Sequence, residues 1–289
     1  MKILLTGASG LLGSAIERVA NFHGWQCNAL SRDPLELAAL PDRLSGFDVL
    51  IHAAANTNVE QCEADPDRCY QDNWMLTELL AQKASQAGVR MVFISSTGIY
   101  GTAKTTPYKE YDPVAPTTHH HASKYLAEQS VMWQDRKNLV VRTGWLFGGE
   151  YANPKNFVAR RLDEARNAQA ASECLIRSNS EQRGVPCYNL DIAERILLLV
   201  EKNNYGVFNC VNNGHASRCE YVKKIIELAD IPVRVEPSDA ASFKRRARVS
   251  NNEMAENWKM AALGLPAMPA WEESLARYIA ELHGRINEY

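Results

Sequence analysis

The sequence predicts an α/β fold in which helices cover both faces of a doubly wound parallel sheet. Strand-like and helix-like segments alternate through the first 150 residues. The strand-like segments are continuous apolar runs, which are typical of strands buried on both faces. A glycine-rich turn directly follows the first of them, as expected where a parallel sheet opens with a strand, a turn and a helix.

Residues 1–150 contain five predicted strands and three predicted helices. Strands are expected where short apolar runs lie between turn residues, and helices where apolar residues recur every three or four positions. The longest helix has Pro66 near its start and Gly88 directly after its end, which are usual boundary residues. The predicted strands are 2–5, 25–30, 47–54, 89–95 and 139–146, and the predicted helices are 11–22, 66–87 and 122–134.

The rest of the chain has a less regular pattern, from which we expect a smaller C-terminal α/β lobe. Residues 1–150 are predicted to form the main domain and residues 151–289 mainly the smaller lobe, with elements near 180–211 that return to the main sheet. The predicted helices of this half are 156–170, 191–202, 218–229 and 271–282, and the predicted strands are 173–177, 206–211 and 233–236.

Composition excludes several classes of protein. The 289 residues carry 32 basic and 34 acidic side chains, a net charge of −2, which does not suit binding to nucleic acid or to a membrane surface. Seven scattered cysteines form no CxxC pair, so we expect reduced thiols in a cytoplasmic protein and no metal site. The N-terminus lacks the pattern of a signal peptide, and no apolar run reaches the roughly 18 residues of a membrane span.

The turn after the first strand reads Gly7-Ala8-Ser9-Gly10-Leu11-Leu12-Gly13. The first glycine permits a tight turn, the second lets the backbone approach a pyrophosphate, and the third lets helix and strand pack closely. Free N–H groups and the helix dipole favour a phosphate at this helix start. We therefore predict a Rossmann dinucleotide site, with a plain turn as the alternative. Its predicted residues here are Gly7, Ser9, Gly10, Leu11, Leu12 and Gly13.

The end of the second strand bears on which nicotinamide cofactor is bound. An acidic residue at this position binds the ribose 2′-hydroxyl of NAD, whereas an arginine accommodates the 2′-phosphate of NADP. The strand is followed by Ser31 and Arg32, which favour NADP(H) over NAD(H). Asp33 would serve NAD only if the strand ended later, and Arg32 could also be a solvated loop charge.

Four further stretches resemble the extended short-chain dehydrogenase/reductases, and among them the dTDP-4-dehydrorhamnose reductase group. They are DVLIHAAANTNVEQCE at 48–63, RTGWLFG at 142–148, KNFV at 155–158 and EQRGVPCYNLDIA at 181–193, and their order and spacing match the family. The resemblance implies a nicotinamide cofactor, a smaller substrate lobe and a nucleotide-activated 4-keto-6-deoxysugar as substrate. It also implies cofactor contacts at Ala53, Ala54, Ala55, Ser95 and Lys124.

The family's catalytic residues are a Ser or Thr, a Tyr and a Lys, with the Tyr four residues before the Lys on one helix. ISSTGIYG at 94–101 places Ser96 at the serine position, and HHASKYLAE at 120–128 places Lys124 at the lysine position. The tyrosine is absent, because His120 stands there and His121 replaces the usual glycine. Tyr125 is no simple substitute, since adjacent helix residues point about 100° apart.

Histidine can transfer protons near neutral pH. A Lys124 ammonium nearby would keep His120 neutral, and neutral imidazole still has one N–H to donate. We therefore leave three roles open for His120: a working acid, a vestige of the family site and a group for altered chemistry. Tyr108 and Tyr111 are further proton-donor candidates, and a solvated loop edge or helix cap is preferred for His119 and His121.

The resemblance also suggests where the sugar and the diphosphate bind. Trp145 matches an aromatic residue that packs on the sugar, whereas Thr97 and Gly98 stand where the family has Asp and Tyr. The basic run 244–248 is equally a diphosphate site or a solvated surface. The substrate-binding residues predicted in this way are Thr57, Thr97, Trp145, Asn156, Phe157 and Arg183.

Three functions remain open at this point. The first is an NADP(H)-dependent reductase of a nucleotide-activated 4-keto-sugar or related carbonyl, and the second is an epimerase or dehydratase on the same fold. The third is a catalytically silent cofactor-binding subunit, which the missing tyrosine suggests. Relatives also pair the helices near 66–87 and 122–135 in a dimer, so a homodimer is expected. The apolar residues that would allow it are Trp74, Leu79, Tyr125, Val131, Met132 and Trp133, although they could equally be intrachain core.

Overall fold

The computed structural model describes residues 1–30, 44–239 and 245–286. A six-stranded parallel sheet, in the order β10-β5-β4-β3-β1-β2, confirms the predicted doubly wound α/β fold. The strands are β1 Lys2–Thr6, β2 Gln26–Leu30, β3 Val49–His52, β4 Arg90–Ser96, β5 Leu139–Thr143, β6 Trp145–Phe147, β7 Leu175–Asn179, β8 Arg183–Gly184, β9 Pro186–Tyr188, β10 Gly206–Asn209, β11 Ala216–Ser217 and β12 Arg234–Ser238.

The α-helices lie on both faces of this sheet and in the C-terminal half. They are α1 Leu11–Phe22, α2 Val59–Ala64, α3 Pro66–Tyr70, α4 Leu76–Gln86, α5 His119–Gln134, α6 Phe157–Ala170, α7 Asn189–Glu201, α8 Arg218–Leu228, α9 Trp258–Ala262 and α10 Trp271–Ile286. A π-helical turn, Gln71–Met75, joins α3 to α4, and a 3₁₀ turn, Thr97–Tyr100, follows β4.

Two predicted elements are interrupted in the structure. The predicted helix 66–87 is divided by the π-helical turn, which places Asn73 in the buried interior. The predicted strand 139–146 ends at Thr143. The next residue, Gly144, lies so close to the segment around Val185 that a Cβ on Gly144 would lie 2.5 Å from the carbonyl oxygen of Val185. After Gly144 the backbone leaves the main sheet, and β6 pairs with β9 instead.

The helix that carries the candidate catalytic residues begins earlier than the sequence predicts. It starts at His119 rather than at residue 122, because the Thr118 side chain caps it by accepting a hydrogen bond from the His121 backbone N–H. This start gives His120 helical geometry, so that His120 and Lys124 share a helix face.

Three short strand pairs build the C-terminal half: β6 with β9, β7 with β12, and β8 with β11. A second apolar core lies there, distinct from the cores on the two faces of the main sheet. Strand β10 joins the edge of the main sheet beside β5, and helix α7 packs against α1. The boundary near residue 150 between two lobes stays a prediction.

Candidate functional site

A cavity of about 2050 Å³ opens at the carboxyl ends of β1, β3, β4 and β5. Ligands of open α/β sheets bind at this edge, and the volume exceeds the roughly 300–1,000 Å³ of an ordinary small-molecule pocket. The cavity is therefore large enough for a dinucleotide and a second ligand side by side. Its lining includes these predicted residues: Gly7, Ser9, Gly10, Leu11, Leu12, Gly13, Ala53, Ala54, Ala55, Thr57, Ser95, Ser96, His120, Lys124 and Trp145.

The glycine turn forms one wall of the cavity. Gly7 has φ +73°, and a Cβ on it would lie 2.7 Å from the backbone nitrogen of Ala54. A Cβ on Gly13 would lie 2.0 Å from the carbonyl oxygen of Gly7, so helix and turn meet without side chains between them. No side chain caps α1 and its first turn carries no acid, which leaves N–H groups free for an anion. These features fit the diphosphate of a dinucleotide.

A buried hydrogen-bond chain, which the sequence did not reveal, fixes the turn against β3. The Thr6 hydroxyl lies 2.6 Å from His52 Nδ1 and accepts a hydrogen bond from the Ala54 N–H. His52 Nε2 lies 2.9 Å from the Thr77 hydroxyl on α4. This chain ties the ends of β1 and β3 to the helix layer and so positions Ala53, Ala54 and Ala55 at the cavity wall.

The structure brings Ser96, His120 and Lys124 to the same cavity. Ser96 ends β4, and its hydroxyl oxygen accepts a hydrogen bond from the Gly98 N–H at 3.1 Å. The other two side chains come from α5 and are buried, with 7% exposure for His120 and 4% for Lys124. The three residues that the resemblance places in the catalytic positions therefore line one cavity.

Hydrogen bonding defines the tautomer of His120. Its Nδ1 lies 3.0 Å from the carbonyl oxygen of Asn56, which can only accept, and 3.5 Å from Asn73 Nδ2, which can only donate; the shorter contact assigns the proton to Nδ1. Burial lowers the pKa of His120 well below its usual value, and His121 and Lys124 lower it further. The ring is therefore neutral, and its remaining nitrogen, Nε2, is an acceptor. The N–H that we expected His120 to offer a substrate carbonyl is used by the protein.

Lys124 lies in an apolar environment. Its Nζ is 4.0 Å from the centre of the Phe93 ring, and burial lowers the pKa of Lys124 to about 7, although Glu128 opposes the shift. Glu128 does not form an ion pair with it, because both carboxylate oxygens bind the Arg142 guanidinium. Near neutral pH Lys124 therefore exists in comparable amounts as ammonium and amine.

The other histidines and the loop tyrosines differ in part from expectation. His121 is buried rather than solvated, with 5% exposure, and burial together with Lys124 lowers its pKa to about 4. His119 is half-buried at the first position of α5, next to Tyr70. Tyr108 is fully buried, stacked on Tyr100, and Tyr111 is exposed and packs on Trp258; neither lines the cavity.

Two of the predicted substrate residues, Thr57 and Trp145, line the cavity, and four do not. Asn156 is fully buried, because its side chain caps α6 and donates to the Tyr278 hydroxyl at 2.5 Å. Phe157 stacks on Tyr221 in the second core. The remaining two are Thr97, which is the buried first residue of the 3₁₀ turn, and Arg183, which pairs with Glu220 at 3.5 Å.

Several cavity residues were not among the predicted site residues. Arg218 and Glu253 lie outside the motifs that carry the resemblance, whereas Gln182 lies in the motif at 181–193 and Arg245 in the basic run 244–248. Arg218 follows β11, and its guanidinium carbon lies 3.5 Å from the centre of the Trp145 ring. Glu253 accepts a hydrogen bond from Trp145 Nε1 at 2.5 Å. Gln182 and Arg245 complete this part of the wall. Of the rest of the basic run, residues 246–248 do not line the cavity, and Lys244 lies outside the described residues, as do Ser31 and Arg32.

Within residues 1–30, 44–239 and 245–286, no group of three or more His, Cys, Asp or Glu side chains is arranged to hold a metal ion. No helix in those ranges is long and apolar enough to cross a membrane. The seven cysteines are all free thiols.

Comparison with known proteins agrees with the motifs. The family model of the RmlD substrate binding domain matches residues 1–283. The chain belongs to this family. A relative, the dTDP-4-dehydrorhamnose reductase of Mycobacterium tuberculosis, is 30% identical over 290 residues, which cover 96% of this chain and 92% of the relative. The resemblance inferred from the sequence is thereby confirmed.

Solved structures of reductases give the same result for the fold. The dTDP-4-dehydrorhamnose reductase of Clostridium acetobutylicum superposes with a TM-score of 0.91 at 28% identity, over 98% of this chain and 100% of the other. The enzyme of Bacillus anthracis in complex with NADP superposes with a TM-score of 0.89 at 28% identity, over 97% and 99% of the two chains. The Rossmann-like RmlD-family fold therefore extends over nearly the whole chain.

Proposed function

We propose that this protein is an NADP(H)-dependent reductase of a nucleotide-activated 4-keto-sugar. The observation that carries the proposal is that one cavity is lined by both the glycine turn and the trio Ser96, His120 and Lys124. Family membership supports the same activity, because relatives over the full length are named dTDP-4-dehydrorhamnose reductases. These relatives are reductases, so the protein belongs to the class of NAD(P)-dependent oxidoreductases.

The cofactor, when bound, supplies or accepts the hydride. The free N–H groups of the first turn of α1 would hold its diphosphate, with Gly7 and Gly10 allowing close approach. Ser95 and the 53–55 stretch line the adjoining wall. The Ser96 hydroxyl, whose oxygen already accepts from Gly98, keeps its own hydrogen to donate to the reacting carbonyl oxygen.

The tautomer of His120 decides which group supplies the proton in a reduction. Neutral His120 has its hydrogen on Nδ1, held by the Asn56 carbonyl, so Nε2 accepts hydrogen bonds and would orient a substrate hydroxyl. Lys124, with a pKa of about 7, is the remaining general acid in the trio. We assign proton donation to Lys124 Nζ and an orienting role to His120.

The choice of NADP(H) over NAD(H) rests on Ser31 and Arg32 after β2. The Bacillus anthracis structure in complex with NADP is in line with this choice. Titration of the protein with NADPH and NADH tests it: Arg32→Ala should weaken NADPH binding by about tenfold and leave NADH binding unchanged, since only NADPH carries the 2′-phosphate. Equal weakening of both would contradict the assignment.

The activity is tested with purified protein, NADPH and a panel of dTDP- and UDP-linked 4-keto-sugars, followed by the absorbance of the reduced nicotinamide. Steady oxidation of NADPH with sugar reduction is the expected result. NADPH binding without turnover of any sugar would instead favour a silent subunit. Sugar conversion without net cofactor consumption would favour an epimerase.

We also propose that the protein is a cytoplasmic homodimer. Free thiols at all seven cysteines suit a reducing compartment. On the α4–α5 side, Met75, Leu79 and Trp133 are exposed, Trp133 by 88%, whereas Val131 is intrachain core and Trp74 donates to the Ser130 hydroxyl within the chain. Sedimentation of native protein and a Trp133→Lys variant tests the dimer, and a native monomer would disprove it.

A further inference from the structure

The wall around Trp145 has four cationic side chains and one buried carboxylate, Glu253, whose charge acts on Arg218 and Arg245. Lys155, Arg160, Arg218 and Arg245 all line the cavity, and among the described residues none of the four forms an ion pair. Four cations beside one carboxylate leave an excess of positive charge, which favours an anionic ligand. The wall therefore has the charge of an anion-binding site.

The carboxylates that line the same cavity are already engaged elsewhere. Glu60 accepts hydrogen bonds from the backbone N–H groups of Arg246 and Ala247, and Asp72 pairs with Arg68 at 3.1 Å. Glu253 accepts from Trp145 Nε1. Each accepts hydrogen bonds from a group other than the four cations, and Glu253 acts on Arg218 and Arg245 through its charge without a direct ion pair.

Arg218 differs from the other three cations because it is packed. Lys155, Arg160 and Arg245 are exposed, whereas Arg218 is half-buried with its guanidinium stacked on Trp145 at 3.5 Å and 5.3 Å from the Phe157 ring centre. No hydrogen bond from this guanidinium to a described residue is present, although Arg218 lines the cavity. The contact with the indole holds the guanidinium in place and leaves its N–H donors for a ligand.

The stacking also changes what Trp145 can do. The indole is only 8% exposed, and besides Arg218 it contacts Gly184, where an ideal Cβ would lie 2.4 Å from Trp145 Cε2. An indole covered in this way has little surface left for a sugar. At this point of the cavity the chain presents a planar cation, and the role expected for Trp145 passes to the residue that it supports.

We propose that Arg218, held in place against the Trp145 ring, binds an anionic group of the substrate by a bidentate hydrogen bond, with Lys155, Arg160 and Arg245 as outer cations. The inference rests on the proposed function and adds a specificity-determining residue to it. Two sources have this chemistry: the diphosphate linkage of a nucleotide sugar and a carboxylate on the sugar itself. Burial lowers the pKa of Arg218 to about 10, so the side chain is still charged at neutral pH.

The experiment measures ligand binding by calorimetry in protein saturated with NADP⁺, so that diphosphates cannot occupy the cofactor turn. The probes are dTDP, inorganic pyrophosphate, glucuronate and the uncharged thymidine. Arg218→Gln should weaken the binding of one anionic class by about tenfold or more and leave thymidine binding unchanged. Arg234→Gln, which removes an exposed arginine outside the cavity, is the matched control.

The pattern of losses identifies the source. Loss confined to dTDP and pyrophosphate assigns the diphosphate, and loss confined to glucuronate assigns a sugar carboxylate. Unchanged binding of every anion in Arg218→Gln overturns the proposal. Folding is checked by NADP⁺ affinity, and if that variant does not fold, Arg245→Gln replaces it, with a smaller loss of anion binding expected and an unchanged affinity overturning the proposal.

The same experiment separates this proposal from the proposed function. Anion binding that depends on Arg218 can be present in a protein that turns over none of the 4-keto-sugars. That result would support the anion site and contradict the proposed reductase activity. Conversely, if Arg218→Gln oxidises NADPH with the native kcat and KM, the proposed activity is supported and the proposed role of Arg218 is overturned.

Discussion

The imidazole of His121 occupies the space that a side chain on residue 98 would need. An ideal Cβ on Gly98 would lie 2.2 Å from His121 Nε2 and 2.3 Å from Cε1. The ring is held there by Thr118, whose Oγ1 lies 3.0 Å from His121 Nδ1. The resemblance places a tyrosine at position 98 and a glycine at position 121, so the two departures from the family pattern compensate each other sterically.

Gly98→Ala should destabilise the protein by about 1–3 kcal/mol, because the new methyl group overlaps a buried ring that has little room to move. Urea unfolding of the native and variant proteins measures the loss. A second background, His121→Ala, supplies the control: there Gly98→Ala should cost less than half as much. Equal costs in the two backgrounds would show that the ring and the methyl group do not compete.

A buried ion pair connects the catalytic helix to the sheet and should dominate local stability. The Arg142 guanidinium binds Glu128 at 2.7 Å and also donates to the Tyr100 hydroxyl at 2.9 Å, and the charged side chains are 6% and 3% exposed. Removal of one partner leaves a buried charge uncompensated. Glu128→Ala should therefore lower the free energy of unfolding by about 3–5 kcal/mol.

The comparison for this prediction is an exposed pair, Lys224 and Glu227, at 2.6 Å on α8. Glu227→Ala should change the free energy of unfolding by less than about 0.5 kcal/mol, since solvent screens exposed charges. Urea denaturation of both variants under identical conditions measures the two losses in free energy of unfolding. A small effect of Glu128→Ala would mean that water enters the pair.

The sequence was sufficient for the fold because the fold depends on patterns that repeat along the chain. The apolar strands and the glycine turn predict a doubly wound parallel sheet, and the observed sheet confirms it. The interruption at Gly144 was missed because it depends on the approach of Val185, a contact between segments that are far apart in sequence. Local periodicity carries no signal for such a contact.

The candidate site was predicted less completely, for two physical reasons. Asn156 has the sequence context of a family motif, but its side chain is used as an N-cap, a role that Asn fills well at any helix start. Arg218 has no motif, and only the fold shows that it stacks on Trp145. The tautomer of His120 likewise depends on the Asn56 carbonyl, 64 residues away in sequence.

Lys124 should make the stability of the cofactor-free protein depend on pH. Its folded pKa of about 7 lies below the roughly 10.4 of an unfolded lysine, so between these values the unfolded chain holds more protons. Stability should therefore rise with pH from 7 to 10, by at most about 1.4 kcal/mol per pH unit. Urea unfolding at several pH values should show this slope in the native protein and a flatter one in Lys124→Met. If the native protein and Lys124→Met show equal slopes, Lys124 has an ordinary pKa in the folded protein and is in contact with water.

The pH dependence of the reduction should separate the roles of Lys124 and His120. If Lys124 Nζ gives the proton, kcat/KM for a 4-keto-sugar falls as pH rises through about 7, because the ammonium is lost. His120→Gln has no titrating group at position 120, so it should lower the rate through poorer orientation while the fall with pH stays in place. A profile that flattens in His120→Gln would assign the proton to the imidazole instead. His120→Tyr adds a hydroxyl donor four residues before Lys124, and it should raise kcat for reduction and shift the fall to higher pH, since an unperturbed phenol titrates near pH 10.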